Sequence, residues 1–546
     1  MTTVNSDSGE VMRHLNLEAA KCMHFGGLPA NEALRLCTLN GAIQLGVDKY
    51  IGSIEVGKFA DLAIWDGHPL DTTSKCVMTL IDGEVYFKHR DLNLNSPPAA
   101  RPAPMFPVPH ALLTVPFIEA PSPDFWLLGA TAHTISGPTI ENAAVHILGG
   151  NIDYVGIRPP GSQTHVVDFS GLHIYPGLID AGTMLGLEEI GSVQGTMDNS
   201  EIADFQPDLQ AVWAYNPHSA LIEVARCEGV TSALVFQAGG NVSAGAGLIH
   251  LNGWTMPECL INSPVALQIS LPSLPTEFPE EMQEDRKAEA KKAHRKRLDQ
   301  IEEFFDKAVQ YEKSTRGSGS APQASAEERN LAAMIPYIRG EKPMLMSANS
   351  YKEIREALEF AKHYKLRPLL FGAREAWKLA DDLAKEKVDV IFSRTTSYPA
   401  SKFEPWDSVY SCPAALAKTG VRFAIAVNDP SLVKQIGVEA GLAVAHGLSE
   451  DAALRAITLS AAEIIGAADR IGSLEKGKSA DLIVTTGSPL QASSGVVAEF
   501  IAGKPIDLTS KHTRSDEKFR NRPAPNLPPA PELRGPPPMR QRPPVQ

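Results

Sequence analysis

Residues 27–70 recur at residues 447–490 without a gap, at an offset of 420. The first copy reads GLPANEALRLCTLNGAIQLGVDKYIGSIEVGKFADLAIWDGHPL and the second GLSEDAALRAITLSAAEIIGAADRIGSLEKGKSADLIVTTGSPL, with 21 identities in 44 positions. Short structural repeats have periods of roughly 20–50 residues, so this spacing marks a duplicated domain end and not a solenoid. In each copy the segment ALRLCTLNGAIQLG, or ALRAITLSAAEIIG, has helical periodicity, and Gly46 or Gly466 suits a helix C-terminus. Gly52 and Gly57 then bound a turn before a short apolar run that reads as a strand. Each copy therefore predicts a helix, a glycine-bounded turn and a strand.

Proline marks the boundaries between these parts. Residues 97–123 hold nine prolines, and 93–123 read as a linker. Residues 523–546 hold ten, so 509–546 read as a disordered tail with polyproline II character. Between 279 and 313, Met282, Leu298, Ile301, Phe304, Phe305, Ala308 and Val309 fall at helical spacing behind Pro279. The following RGSGSAPQASAEE is flexible by composition, so 279–330 reads as a helical insertion.

Residues 125–180 are short alternating strands broken by Gly and Pro, a small β-unit leading into one buried strand. Helix-like segments then alternate with apolar runs: SALIEVARCEG with VTSALVFQ, EIREALEFAKHYK with LRPLLFG, AWKLADDLAKEK with VDVIFS, CPAALAKTG with VRFAIAV. Such alternation predicts parallel βα units, and about 300 residues of it fit an α/β fold of the (β/α)₈ barrel type. The glycine-rich GGNVSAGAG (239–247) lacks the GK[ST] of a phosphate loop and reads as a tight βα loop at the barrel mouth.

The net charge of −13 argues against a general nucleic-acid binder, which needs a basic face. No run of about 18 apolar residues is present to span a membrane. The six cysteines form no CxxC and read as buried free thiols. MTTVNSDSGE has neither the basic nor the apolar region of a signal peptide. The chain as it stands is therefore expected in the cytoplasm, with export left open if an upstream segment carries a signal.

The motif PGLIDAGTMLG (176–186), the GS(I/L)E(V/K)GKxADL signature and the small β-unit ahead of PGLID together resemble the amidohydrolase superfamily, above all its imidazolonepropionase-like and dihydroorotase-like members. The resemblance implies a (β/α)₈ barrel, here 176–467, with a β-sandwich built from both ends of the unit, 124–175 and 468–508. Residues 1–92 resemble only the last barrel βα and the closing sandwich strands of another unit, so the chain resembles the C-terminal part of a tandem protein. The implied activity is hydrolysis of carbon–nitrogen bonds of a small-molecule substrate. The implied partner is an upstream amidohydrolase unit or a second copy.

An intact member holds zinc or another divalent metal with His-x-His after strand one, His on strands five and six, and Asp on strand eight. Such ligands leave an open position that activates water. This chain has Gly182 and Met184 at the first pair, Ser347 and Gly372 at the next two positions, and Asn428 at the last, beside Asp429. Glycine has no donor and thioether suits a hard hydrolytic metal poorly. No cofactor is therefore expected in this chain, and the barrel reads as a non-catalytic partner of an active unit. Asp7, in VNSDSGE, matches the strand-eight acid of the first unit and is a ligand only if an upstream barrel completes the site. Glu188, Glu189, Glu201, Asp204 and Asp429 are candidates for the pocket rim, and His218 is expected to begin a helix.

Overall fold

A computed structural model describes residues 2–6, 9–92, 123–161, 163, 165–274, 278, 281–315 and 325–523. The expected linker, apart from residue 123, the prolines beyond 523, and Asp7 lie outside the described residues. The chain divides into two units. One comprises 1–115 with 491–495 and 511–546; the other comprises 116–490 with 496–510.

In the first unit, helices Leu15–Gly26, Ala30–Leu36 and Leu39–Gln44 precede an antiparallel sheet of Leu62–Trp65, Cys76–Ile81 and Glu84–Lys88. The single helix expected from the repeat is broken in two at Thr38 (φ −133°, ψ −100°), and the second copy breaks identically at Thr458 (φ −140°, ψ −99°). Each threonine hydroxyl donates to the carbonyl four residues back, Leu34 or Leu454, which offers the backbone an alternative to helix continuation. Gly52 and Gly472 both have φ +93°; a Cβ there would stand 2.7 and 2.8 Å from Ala42 and Ala462. The turn therefore requires glycine on both counts.

The second unit carries a sandwich and a barrel. One sandwich sheet runs Lys504–Pro505, Val496–Ile501, Leu482–Thr485, His173–Pro176, Thr131–Ala132. The other runs Asn151–Gly156, Ala144–Leu148, Asp124–Leu128, Val166–Asp168. The barrel strands are β1 (Leu178–Thr183), β2 (Val230–Val235), β3 (Val242–His250), β4 (Leu260–Ile269), β5 (Pro343–Ala348), β6 (Arg367–Gly372), β7 (Asp389–Ser393) and β8 (Phe423–Ala426). They form one eight-stranded sheet in sequence order. A parallel bridge between Thr183 and Asn428 brings its ends together, and Asn428 N–H donates to the Gly182 carbonyl at 3.2 Å.

The barrel differs from the expected all-parallel one at β3, which is antiparallel to both β2 and β4. Only a short loop separates β2 from β3, too short for the crossover that a parallel pair needs. The glycine-rich run 239–247 is thus mostly strand, not a βα loop. A Cβ on Gly245 would meet Pro264 at 2.6 Å and one on Gly247 would meet Val212 at 2.3 Å, so these glycines admit close packing.

The barrel interior is filled by Ile179, Leu234, Phe236, Leu345, Phe371 and Ile391, joined by Ala461, Ile464 and Ile465 from the second repeat copy. The helix Glu284–Thr315 buries Ile301, Phe305 and Ala308, and Phe305 packs edge-on against Phe360 at 5.0 Å. Lys511–Arg520, inside the segment expected to be disordered, is an exposed helix; the tail's prolines begin only at 523, so nothing there breaks it. No helix among the described residues is long and apolar enough to cross a membrane.

Candidate functional site

Barrel sites sit at the C-terminal ends of the strands, where loops converge on one mouth. At the end of β1 the register shifts between Asp180 and Thr183, and Gly182 lies against the interior. A Cβ built on Gly182 would stand 2.5 Å from Phe371 Cε2 and 3.5 Å from Phe236 Cε1. These two rings are buried and meet edge-to-face at 4.8 Å. An imidazole at position 182 would have to occupy the space that Phe371 fills.

The other residues expected at ligand positions are equally committed to local contacts. Met184 is partly buried against the apolar core. The Ser347 hydroxyl accepts from Gln268 Nε2 at 2.7 Å. Gly372 has φ +90°, and a Cβ there would lie 2.5 Å from Asn349 Oδ1. Asn428 has φ +67°, where its backbone serves the barrel closure. Asp429 Oδ1 accepts from the Ser431 N–H at 2.9 Å and hydroxyl at 2.7 Å, so this carboxylate organises a turn. Among the described residues no group of three or more His, Cys, Asp or Glu side chains could hold a metal ion. Gly182, Met184, Ser347, Gly372 and Asn428, the residues expected at the family's ligand positions, do not have the donor chemistry to hold zinc.

The rim acids find separate partners. Glu188 Oε2 accepts from Asn199 at 2.9 Å, Glu189 Oε1 from Asn216 at 3.4 Å, and Glu201 Oε1 from Gln237 at 3.0 Å. Asp204 enters through its backbone carbonyl, which accepts from the N–H groups of Asn241 and Val242. His218 precedes the helix Ala220–Arg226 and stands edge-on to Trp254 at 4.8 Å. It lines a cavity of about 400 Å³ with Arg226, Trp254 and Lys504, apart from the family's ligand positions.

Two buried acids near the mouth escaped sequence reasoning. Asp180 is fully buried; its Oδ1 accepts from the N–H groups of Gly182 at 3.1 Å and Val427 at 3.3 Å. Its Oδ2 has no hydrogen-bond partner among the described residues, and burial pushes its carboxyl up to about 7. Glu439 is 2 % exposed and accepts from the Thr395 hydroxyl at 2.5 Å, the Thr396 N–H at 3.0 Å and the Thr396 hydroxyl at 2.6 Å, which ties down the loop after β7. Asp180 stands in the PGLID motif that carries the family resemblance, and no local pattern marks Glu439. Ser347 and Asn428 give this end of the barrel a hydroxyl and an amide that can hydrogen-bond a ligand, and among the described residues no cluster of His, Cys, Asp or Glu stands beside them to hold a metal.

The amidohydrolase family model matches residues 3–91 and 225–507. The chain is 25 % identical over 514 residues to the amidohydrolase tasK of Hapsidospora irregularis, an alignment covering 83 % of this chain and 50 % of that protein. The imidazolonepropionase of Sphingopyxis alaskensis is 56 % identical over 46 residues, 8 % of this chain and 11 % of that protein. The chain thus spans half or less of these curated relatives. An amidohydrolase structure from Thermotoga maritima superposes with a TM-score of 0.62 at 23 % identity, over 70 % of this chain and 99 % of that one, a likeness of fold.

Proposed function

Because this chain belongs to the amidohydrolase family, whose hydrolases work through metal-bound water, we propose that its complete barrel is a metal-free companion of an active amidohydrolase unit. The observation that carries this reading is the Phe371 ring standing where a side chain on residue 182 would project. Losing a ligand by substitution alone leaves a vacancy that water or another donor fills. The ring packed against Gly182 supports the reading, as do the positive φ values of Gly372 and Asn428, which favour Gly and Asn. The barrel's remaining contribution is structural: a closed body that supports a partner.

At the level of the whole protein, hydrolysis of a carbon–nitrogen bond in a small molecule is proposed from the family alone. The relative that matches most of this chain is about twice the matched length, which favours placing that activity in a barrel outside this sequence. Elemental analysis of the purified chain after incubation with zinc tests the metal-free reading. The expected content is far below the one metal per site, roughly stoichiometric, of a functional centre. About one zinc per chain, lost on Asp429→Ala or Asp7→Ala, overturns it.

A further inference from the structure

The two repeat copies have the same local fold but opposite surroundings. At the offset of 420, Leu45 is 72 % exposed where Ile465 is 2 %, Ile54 is 89 % where Leu474 is 2 %, Ile64 is 40 % where Val484 is 0 %, and Tyr86 is 80 % where Ile506 is 9 %. The hairpins correspond in register as well: Leu62 faces Leu80 as Leu482 faces Phe500.

What buries the second copy is visible in its own unit. The strand Leu482–Thr485 pairs antiparallel with His173–Pro176. The N–H groups of Leu474, Gly477 and Ala480 donate to the carbonyls of Thr134, Ile152 and Gly150. Ile465 joins the barrel interior. In the first copy, among the described residues, Leu62–Trp65 pairs only with Cys76–Ile81, and the N–H groups of Ile54, Gly57 and Ala60 make no backbone hydrogen bond. An open strand edge in a unit with several exposed large apolar side chains is a template for another chain.

We propose that the exposed apolar surface of this unit, namely the strand edge Leu62–Trp65 with Ile64, Leu45 and Ile54 ahead of it in the chain, and Tyr86 on the sheet's far strand Glu84–Lys88, docks an amidohydrolase-type barrel-and-sandwich body that lacks its own closing segment. The incoming body supplies a strand equivalent to His173–Pro176, which extends the sheet by β-augmentation, and an open barrel floor that receives Leu45. A second copy of this chain cannot serve. Its His173–Pro176 strand is already paired on both sides, with Leu482–Thr485 and Thr131–Ala132, and its barrel interior already holds Ala461, Ile464 and Ile465. The inference deepens the companion reading and rests on it for the nature of the partner.

Hydroxyl-radical footprinting, comparing native protein isolated from its source with the recombinant chain, tests it. In the native material Tyr86 should label about an order of magnitude more slowly, as the exposures of Tyr86 and Ile506 imply. Mass spectrometry of the same sample should find amidohydrolase barrel sequence beyond that of this chain. Equal labelling of Tyr86 in both samples overturns the proposal. So does protection in an assembly containing only copies of this chain. Neither readout depends on metal content, so failure here is distinguishable from failure of the metal-free reading.

Discussion

The Phe371 ring lies where the first atom of a side chain on Gly182 would be placed, 2.5 Å from Cε2. Rebuilding the family's His-x-His by Gly182→His with Met184→His should therefore overpack the interior. A cost of about 1–3 kcal/mol is expected, and adding Phe371→Ala should recover part of it. Urea unfolding of the parent chain and the two variants checks this. Equal stability of the double variant and the parent chain would mean that the ring yields freely.

Asp180 links stability to pH. Its folded-state value of about 7 lies above the ordinary 3.8, so between these limits the native state retains a proton that the unfolded chain has lost. Its contribution is fully present below about pH 4 and is lost as pH rises towards 7. Asp180→Asn keeps an acceptor for Gly182 and Val427 and abolishes the titration. The variant should gain on the parent by up to a few kcal/mol between pH 4 and 8, at about 1.4 kcal/mol per unit. Parallel stability curves in urea at pH 5 and pH 8 would contradict this.

Glu439 holds Thr395 and Thr396 by three hydrogen bonds to its carboxylate. Glu439→Ala removes the carboxylate that accepts from the Thr396 N–H and hydroxyl and leaves the buried Thr395 hydroxyl only the Glu439 backbone carbonyl, at an expected cost of about 1–3 kcal/mol. Hydrogen exchange at the Thr396 amide should accelerate in step, while Glu439→Asp should retain part of the protection.

Phe305 is fully buried and touches Phe360 and Tyr364 at ring separations of 5.0 and 5.1 Å. Phe305→Ala should cost about 3–5 kcal/mol in calorimetry or denaturant unfolding, the range for a large core cavity. A loss below 1 kcal/mol would show the long helix to be a separable appendage.

Much of the barrel was legible because apolar runs such as VTSALVFQ and VDVIFS and the helices between them carry their own period. The direction of β3 was not legible. Gly245 and Gly247 look like loop residues until Pro264 and Val212 are seen to need the space. Gly182 and Met184 could be read directly after PGLID, but the Phe371 ring beside Gly182 could not. Asp180 was visible as a letter, and its burial was invisible.

Sequence alone determined the repeat at an offset of 420 and the family, because these are properties of order along the chain. Tertiary structure alone decided that Phe371 closes the space at Gly182, and that Ile54 and Tyr86 lie bare where Leu474 and Ile506 are buried. Two copies of one motif write nearly the same local interactions, but burial depends on what the rest of the polypeptide brings alongside, and no local pattern records that.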